Sequence, residues 1–267
     1  MTIGIGVLAS EGEAIKPNQL ILLADTKGSF GDSFSMDRLH KLFIAPDKRL
    51  FAVGADQMDK ASELFEVIRG VSGIIEGGTH RYGSIVESVS GGADLYKRIR
   101  FKLDVLPQFA RMPQSLPDMF TDADLGPTLL EEWRKYDFGC QMLVGAFNDE
   151  GQAILLYIEG DGKIVNLTFP GFAAIGSGSG NAMFWLSYRN HNLGLPVRRS
   201  AYHAFEAKIM AESSAHVNDR LDMVIANRDK WFFVSDTKPA PEHTPVNLNE
   251  LREMFSIYGP KETDGVK

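Results

Sequence analysis

A threonine follows the first methionine, and the run Thr2-Ile3-Gly4-Ile5-Gly6-Val7 alternates in the manner of a short strand. Removal of Met1 would leave Thr2 at the N-terminus, with a hydroxyl nucleophile and an amine base on one residue. Three further segments place polar or special residues in apolar surroundings. Leu23-Ala24-Asp25-Thr26-Lys27-Gly28-Ser29 ends an apolar strand in a carboxylate. Leu39-His40-Lys41-Leu42-Phe43 sets a lysine on an otherwise apolar strand, and Phe51-Ala52-Val53-Gly54-Ala55-Asp56 ends a strand in glycine just before a helix. Taken singly, each has a plain structural reading: an ion pair for the charged residues, a turn for the glycine. Taken with Thr2, they are the types of group that such a nucleophile needs.

Other constellations point less clearly to chemistry. Gly176-Ser177-Gly178-Ser179-Gly180 before a helix could cradle an anion, but it lacks the Gly-Lys-Ser/Thr ending of a phosphate loop and reads better as a tight strand-to-helix turn. The histidines His40, His80, His191, His203, His216 and His243 are scattered, with no pair at ligand spacing, so no metal is expected. His40 is expected to point away from Lys41 across the strand, outside any site. Phe184, Trp185 and Tyr188 read as core or subunit contacts.

The elements that would position these residues follow from periodicity and turn chemistry. Strands are predicted at about 2–9, 19–27, 40–45 and 50–55. Asp56 is expected to cap a helix carrying Ala61, Leu64, Phe65 and Ile68, and a second helical region runs from Ser84 to Leu106 with a break at Gly91-Gly92. An irregular insertion covers about 107–130, and Glu131 to Tyr136 reads as the end of a helix. Strands resume at about 141–147, 154–159, 163–169 and 173–175, with Gly151 and Gly162 in hairpin turns. Helices at about 179–192 and 197–215 precede strands at 221–227 and 230–235. A C-terminal extension over about 237–267 holds an amphipathic helix from Asn247 to Tyr258. Strand groups alternating with helix pairs predict one α+β domain over 1–267, a four-layer α-β-β-α sandwich.

Bulk properties narrow the functional classes. The chain has 267 residues, 44% hydrophobic and 24% charged, enough to bury a large core. A net charge of −7 disfavours nucleic-acid and anionic-membrane partners. The single cysteine, Cys140, excludes an intrachain disulfide and a thiolate metal cluster. The sequence shows neither a signal-like N-terminus nor an apolar run of membrane-spanning length, and a cytoplasmic protein is expected.

In the order of these segments the sequence resembles the proteasome β subunits and their simpler bacterial relatives, among the N-terminal-nucleophile hydrolases. The resemblance covers roughly residues 2–69 and 139–235. It implies Thr2 as nucleophile, Asp25 and Lys41 as its acid and catalytic lysine, Gly54 as an oxyanion donor, and Ser177 near the threonine amine. It also implies substrate-binding roles for Lys27 (where the family has arginine), Ser29 and Gly54. The implied activity is a threonine peptidase acting through an acyl-enzyme on Thr2, without cofactor. Its implied partners are a peptide or unfolded protein substrate, a homo-oligomeric ring and an ATPase regulator. A catalytically inactive structural subunit and a non-proteolytic amidase are the alternatives. The family's Asp-x-x-Ser pair has no counterpart: that stretch reads Glu212-Ser213-Ser214-Ala215-His216-Val217, with Ser213, Ser214 or Glu212 as replacements.

Overall fold

The computed structural model describes residues 3–11, 16–30, 34–36, 40–46, 49–73, 81–109, 125–212, 217–236 and 244–260. The opening pattern of small and branched residues forms strand β1 (Ile3–Ala9), and the apolar run that ends in a carboxylate forms β2 (Gln19–Asp25). Two short strands, β3 (Gly28–Phe30) and β4 (Phe34–Met36), pair with each other as a separate ribbon. Then come β5 (Leu42–Ile44), β6 (Leu50–Asp56) and the helices α1 (Met58–Gly73) and α2 (Tyr82–Asp104). A 3₁₀ turn at Leu106–Gln108 and helix α3 (Gly126–Lys135) lead to β7 (Cys140–Phe147), β8 (Ala153–Ile158), β9 (Ile164–Asn166) and β10 (Phe172–Gly176). Helices α4 (Ser179–Tyr188) and α5 (Val197–Ala211), strands β11 (Leu221–Ala226) and β12 (Trp231–Ser235), and helix α6 (Leu248–Tyr258) complete the order.

The long strands join two antiparallel five-stranded sheets. One runs β10-β1-β2-β11-β12, the other β5-β6-β7-β8-β9. Strand alternation sends Leu8, Leu22 and Val224 of the first sheet and Val53, Leu143 and Leu155 of the second into one shared cluster. Burying each of these side chains contributes about 1.5–3 kcal/mol. The alternating glycines of β1 make the close approach between sheets workable: a Cβ on Gly4 would stand 2.8 Å from Val53, and one on Gly6 2.9 Å from Leu155.

The opposite faces of the two sheets carry helices. Ala182 of α4, Phe205 of α5 and Leu251 of α6 pack with Ile5, Leu23 and Met223 of the first sheet. Leu64 and Ile68 of α1 and Val89 and Tyr96 of α2 pack with Ala52, Val144 and Leu156 of the second. Helix α3 and the 3₁₀ turn instead build a satellite cluster of Phe101, Leu106 and Leu129.

These features correct the expected α+β, four-layer α-β-β-α sandwich. The described residues form a mixed α/β architecture of two antiparallel five-stranded sheets and six α-helices, not a clear proteasome-type sandwich. The ribbon β3–β4 belongs to neither sheet, and the insertion nucleates its own apolar cluster, which the order of elements alone does not foretell.

Local expectations change too. Helix α2 runs unbroken through Gly91-Gly92, and at Gly92 a Cβ would meet the Ile68 backbone at 2.8 Å, which leaves room only for glycine. That pair marks a close helix crossing. Asp56 closes β6 with φ of 70° instead of capping α1. No helix among the described residues is long and apolar enough to cross a membrane.

Candidate active site

The ends of β1, β2 and β10 meet at one edge of the first sheet. Ile3 pairs with Gly176, and the next residue, Gly4, pairs with Ala24. That register sets Asp25 beside the start of β1, and the Ile3 amide donates to Asp25 Oδ1 at 2.9 Å. Lys41 Nζ donates to the same oxygen at 2.6 Å, with both side chains fully buried. The second oxygen, Asp25 Oδ2, accepts the Lys27 amide at 3.3 Å.

Burying a lysine and an aspartate here costs several kcal/mol per ion unless they pair and the remaining lone pairs are bonded. The ion pair and the two amides supply that compensation. Burial lowers the Lys41 pKa from its ordinary value, and the Asp25 charge and hydrogen bond pull it back upward. Lys41 is therefore easier to deprotonate than a surface lysine, and the Asp25 carboxylate is what sustains its charge.

A second buried lysine stands nearby. Lys208 of α5 is fully buried and donates to Glu212 Oε1 at 2.6 Å. Burial lowers its pKa, opposed by Glu212 and by the Asp25 and Asp236 charges. Glu212, one of the residues considered for the missing aspartate, thus pairs with Lys208, while Ser213 and Ser214 lie outside the described residues. Thr26 and Asn218 close the end of β2 reciprocally: Asn218 Oδ1 accepts the Thr26 amide at 3.3 Å, and its Nδ2 donates to Thr26 Oγ1 at 3.2 Å.

The residues expected from sequence therefore divide. Asp25 and Lys41 come together, and Ser177 follows directly on Gly176, the strand partner of Ile3. Ser177 is exposed, and Gln141 Oε1 accepts the adjacent Gly176 amide at 3.3 Å. Lys27 is half-buried beside Asp25, whereas Ser29 lies on the separate ribbon opposite Ser35. Thr2 itself lies outside the described residues, bonded to Ile3 by the chain.

Gly54, expected as an oxyanion donor, lies in the ladder between β5 and β6. Its amide donates to the Lys41 carbonyl at 3.0 Å, extending the β5–β6 ladder. A Cβ there would stand 2.7 Å from Ala61 Cβ, so the position needs glycine for strand-to-helix packing. The amide named as an oxyanion donor is engaged within the protein.

Sequence reasoning passed over two residues at this edge. His40, expected outside any site, has Nδ1 2.9 Å from Asp222 Oδ2. The signal for Asp222 was the one that exposed Asp25, an acid interrupting an apolar strand in Leu221-Asp222-Met223-Val224. At the far end of β1, His191 and His203 approach each other, with ring centroids 5.6 Å apart and His191 Nε2 3.3 Å from the Leu8 carbonyl. Even so, no group of three potential metal ligands occurs among the described residues. Phe184, Trp185 and Tyr188 contact one another on α4, with Phe184 and Tyr188 exposed.

A scan against protein families matches no family model to this chain, and a search of curated proteins finds no relative, so function has to be read from the residues of the site.

Proposed function

We propose that this chain is a threonine-type hydrolase that cleaves peptide bonds through an acyl-enzyme on Thr2 once Met1 is removed. The observation that carries this reading is the convergence of the Ile3 amide and the Lys41 ammonium on Asp25 Oδ1. Residue 2 is joined in the chain to the nitrogen of Ile3, whose amide is one of the two donors on Asp25 Oδ1. A buried acid–lysine pair thus sits one residue from a hydroxyl that needs activation.

The chemistry follows from those groups. The Thr2 hydroxyl attacks the substrate carbonyl while its α-amine, with an ordinary pKa of about 7.7–8.0, takes the proton. The amine returns the proton to the leaving amine, and water then hydrolyses the ester. Positive charge on Lys41 makes the hydroxyl and the amine easier to deprotonate. Asp25 compensates the burial of that charge. Peptide or unfolded-protein substrates, a homo-oligomeric ring, an ATPase regulator and a cytoplasmic setting belong to the same proposal.

One observation favours a second reading, a structural protein in which Asp25–Lys41 is only an ion pair. The Gly54 amide is bonded to Lys41 O, so an active enzyme must draw its oxyanion donor from another group. Hydrolysis of fluorogenic peptides by protein whose intact mass shows Thr2 as the first residue separates the two. Turnover abolished in Thr2→Ala supports the hydrolase, and no turnover in the processed wild type supports the structural protein.

A further inference from the structure

His40 and Lys41 are consecutive, yet they hold two different buried carboxylates. Lys41 Nζ binds Asp25 Oδ1 at 2.6 Å, and His40 Nδ1 lies 2.9 Å from Asp222 Oδ2. The carboxylates stand on neighbouring strands, for Ala24 lies opposite Asp222 and Asp25 opposite Leu221 in the β2–β11 pair. They belong to opposite faces of the sheet. Asp25 continues the row of Ile21 and Leu23, which packs against the helices. Asp222 continues the row of Val224 and Ala226, which packs between the sheets. The segment entering β5 is therefore tied to both faces of one sheet. The Gly54 amide, on Lys41 O, ties it to the other sheet.

The histidine tie is the unequal one. Asp222 is buried, and its Oδ1 has no hydrogen-bond partner among the described residues, while the His40 side chain is 65% exposed. A buried carboxylate with one oxygen unsatisfied depends strongly on the donor at the other. Removing the imidazole leaves that carboxylate without this donor, and the segment next to Lys41 loses its hold on the inter-sheet face.

We propose that His40 is a positioning residue, whose bond to Asp222 fixes the backbone of Lys41 so that Nζ stays seated on Asp25. Its effect on turnover rests on the hydrolase reading above, whereas the clamp itself does not.

Two readouts separate these parts. Competitive acylation with acetic anhydride, followed by peptide mass spectrometry, reports the reactivity of Lys41 without any need for catalysis. His40→Ala is expected to raise Lys41 labelling about tenfold by freeing the segment locally. His40→Asn, whose side-chain amide can donate to Asp222, is expected to restore wild-type labelling. Should His40→Ala fold poorly, Asp222→Asn gives a second case, because it weakens the pair while keeping an acceptor. Unchanged Lys41 labelling in His40→Ala and Asp222→Asn overturns the clamp, whatever the protein hydrolyses. With peptide substrate, His40→Ala is expected to lower kcat with KM unchanged, and His40→Asn to recover it. Loss of turnover in both variants with wild-type Lys41 labelling means that the imidazole acts on substrate directly, and positioning is overturned. Changed labelling in a processed wild type that lacks turnover leaves the clamp standing and removes the hydrolase reading.

Discussion

Ile3 donates its amide to Asp25 Oδ1 at 2.9 Å, so the acid that pairs with Lys41 is also bonded to the residue that follows Thr2. The β1–β2 register produces this contact directly, by continuing the pairing of Gly4 with Ala24 one step outward. A strand register thereby fixes the start of β1 against a buried ion pair.

Breaking that pair from either side should be costly. Asp25→Ala leaves a fully buried lysine, and Lys41→Ala a fully buried carboxylate. Each is expected to destabilise the protein by about 3–5 kcal/mol. The double variant Asp25→Leu/Lys41→Met, which buries no charge, should unfold later in urea than either single variant. Additive losses in the double variant would show that the two side chains are not coupled.

Gly54 offers a test of packing against catalysis. Gly54→Ala brings a Cβ to 2.7 Å from Ala61 and 3.2 Å from Phe43, and should cost about 1–3 kcal/mol through overpacking. Its amide stays in the ladder with Lys41 O, so activity per folded molecule should fall no more than about twofold, within the spread expected of a site left chemically intact. A large fall in kcat at full folding would mean that this amide leaves the ladder and serves the oxyanion.

Acid should loosen the helical layer on the first sheet. Burial depresses the pKa of both His191 and His203 to about 4, against an ordinary value of 6.5. The unfolded chain then binds more protons than the folded one between those values. The stability these two histidines contribute is fully present above about pH 6.5 and is lost as pH falls toward 4, with a slope of up to about 1.4 kcal/mol per pH unit for each. Urea midpoints measured across this window should drop, and a variant with both histidines replaced by glutamine should drop less. An equal slope in that variant would assign the acid sensitivity elsewhere.

Part of this architecture was legible from local pattern. β1 and β2 announce themselves through alternation and a continuous apolar run, and Asp25 and Lys41 through charge set in apolar context. Their pairing could not be read locally, because it depends on the segment before β5 crossing the end of the other sheet. His40 and Lys41 precede the strand, since β5 begins only at Leu42, and they reach carboxylates on opposite faces of the first sheet, a pairing that no local pattern announces. Gly54 and Gly92 looked like a turn and a helix break, whereas each marks a close approach to α1 through Ala61 and Ile68, a contact that only tertiary packing creates. The satellite cluster around Phe101 and Leu129 was hidden by an insertion without periodicity.

The most direct test of the central claim is the peptide-hydrolysis rate of two proteins that both begin at residue 2 by intact mass, the wild type and Thr2→Ala. The account predicts that the alanine variant loses on the order of 10³-fold or more in kcat/KM while keeping the wild-type melting temperature. Hydrolysis retained at the wild-type rate in Thr2→Ala would contradict it.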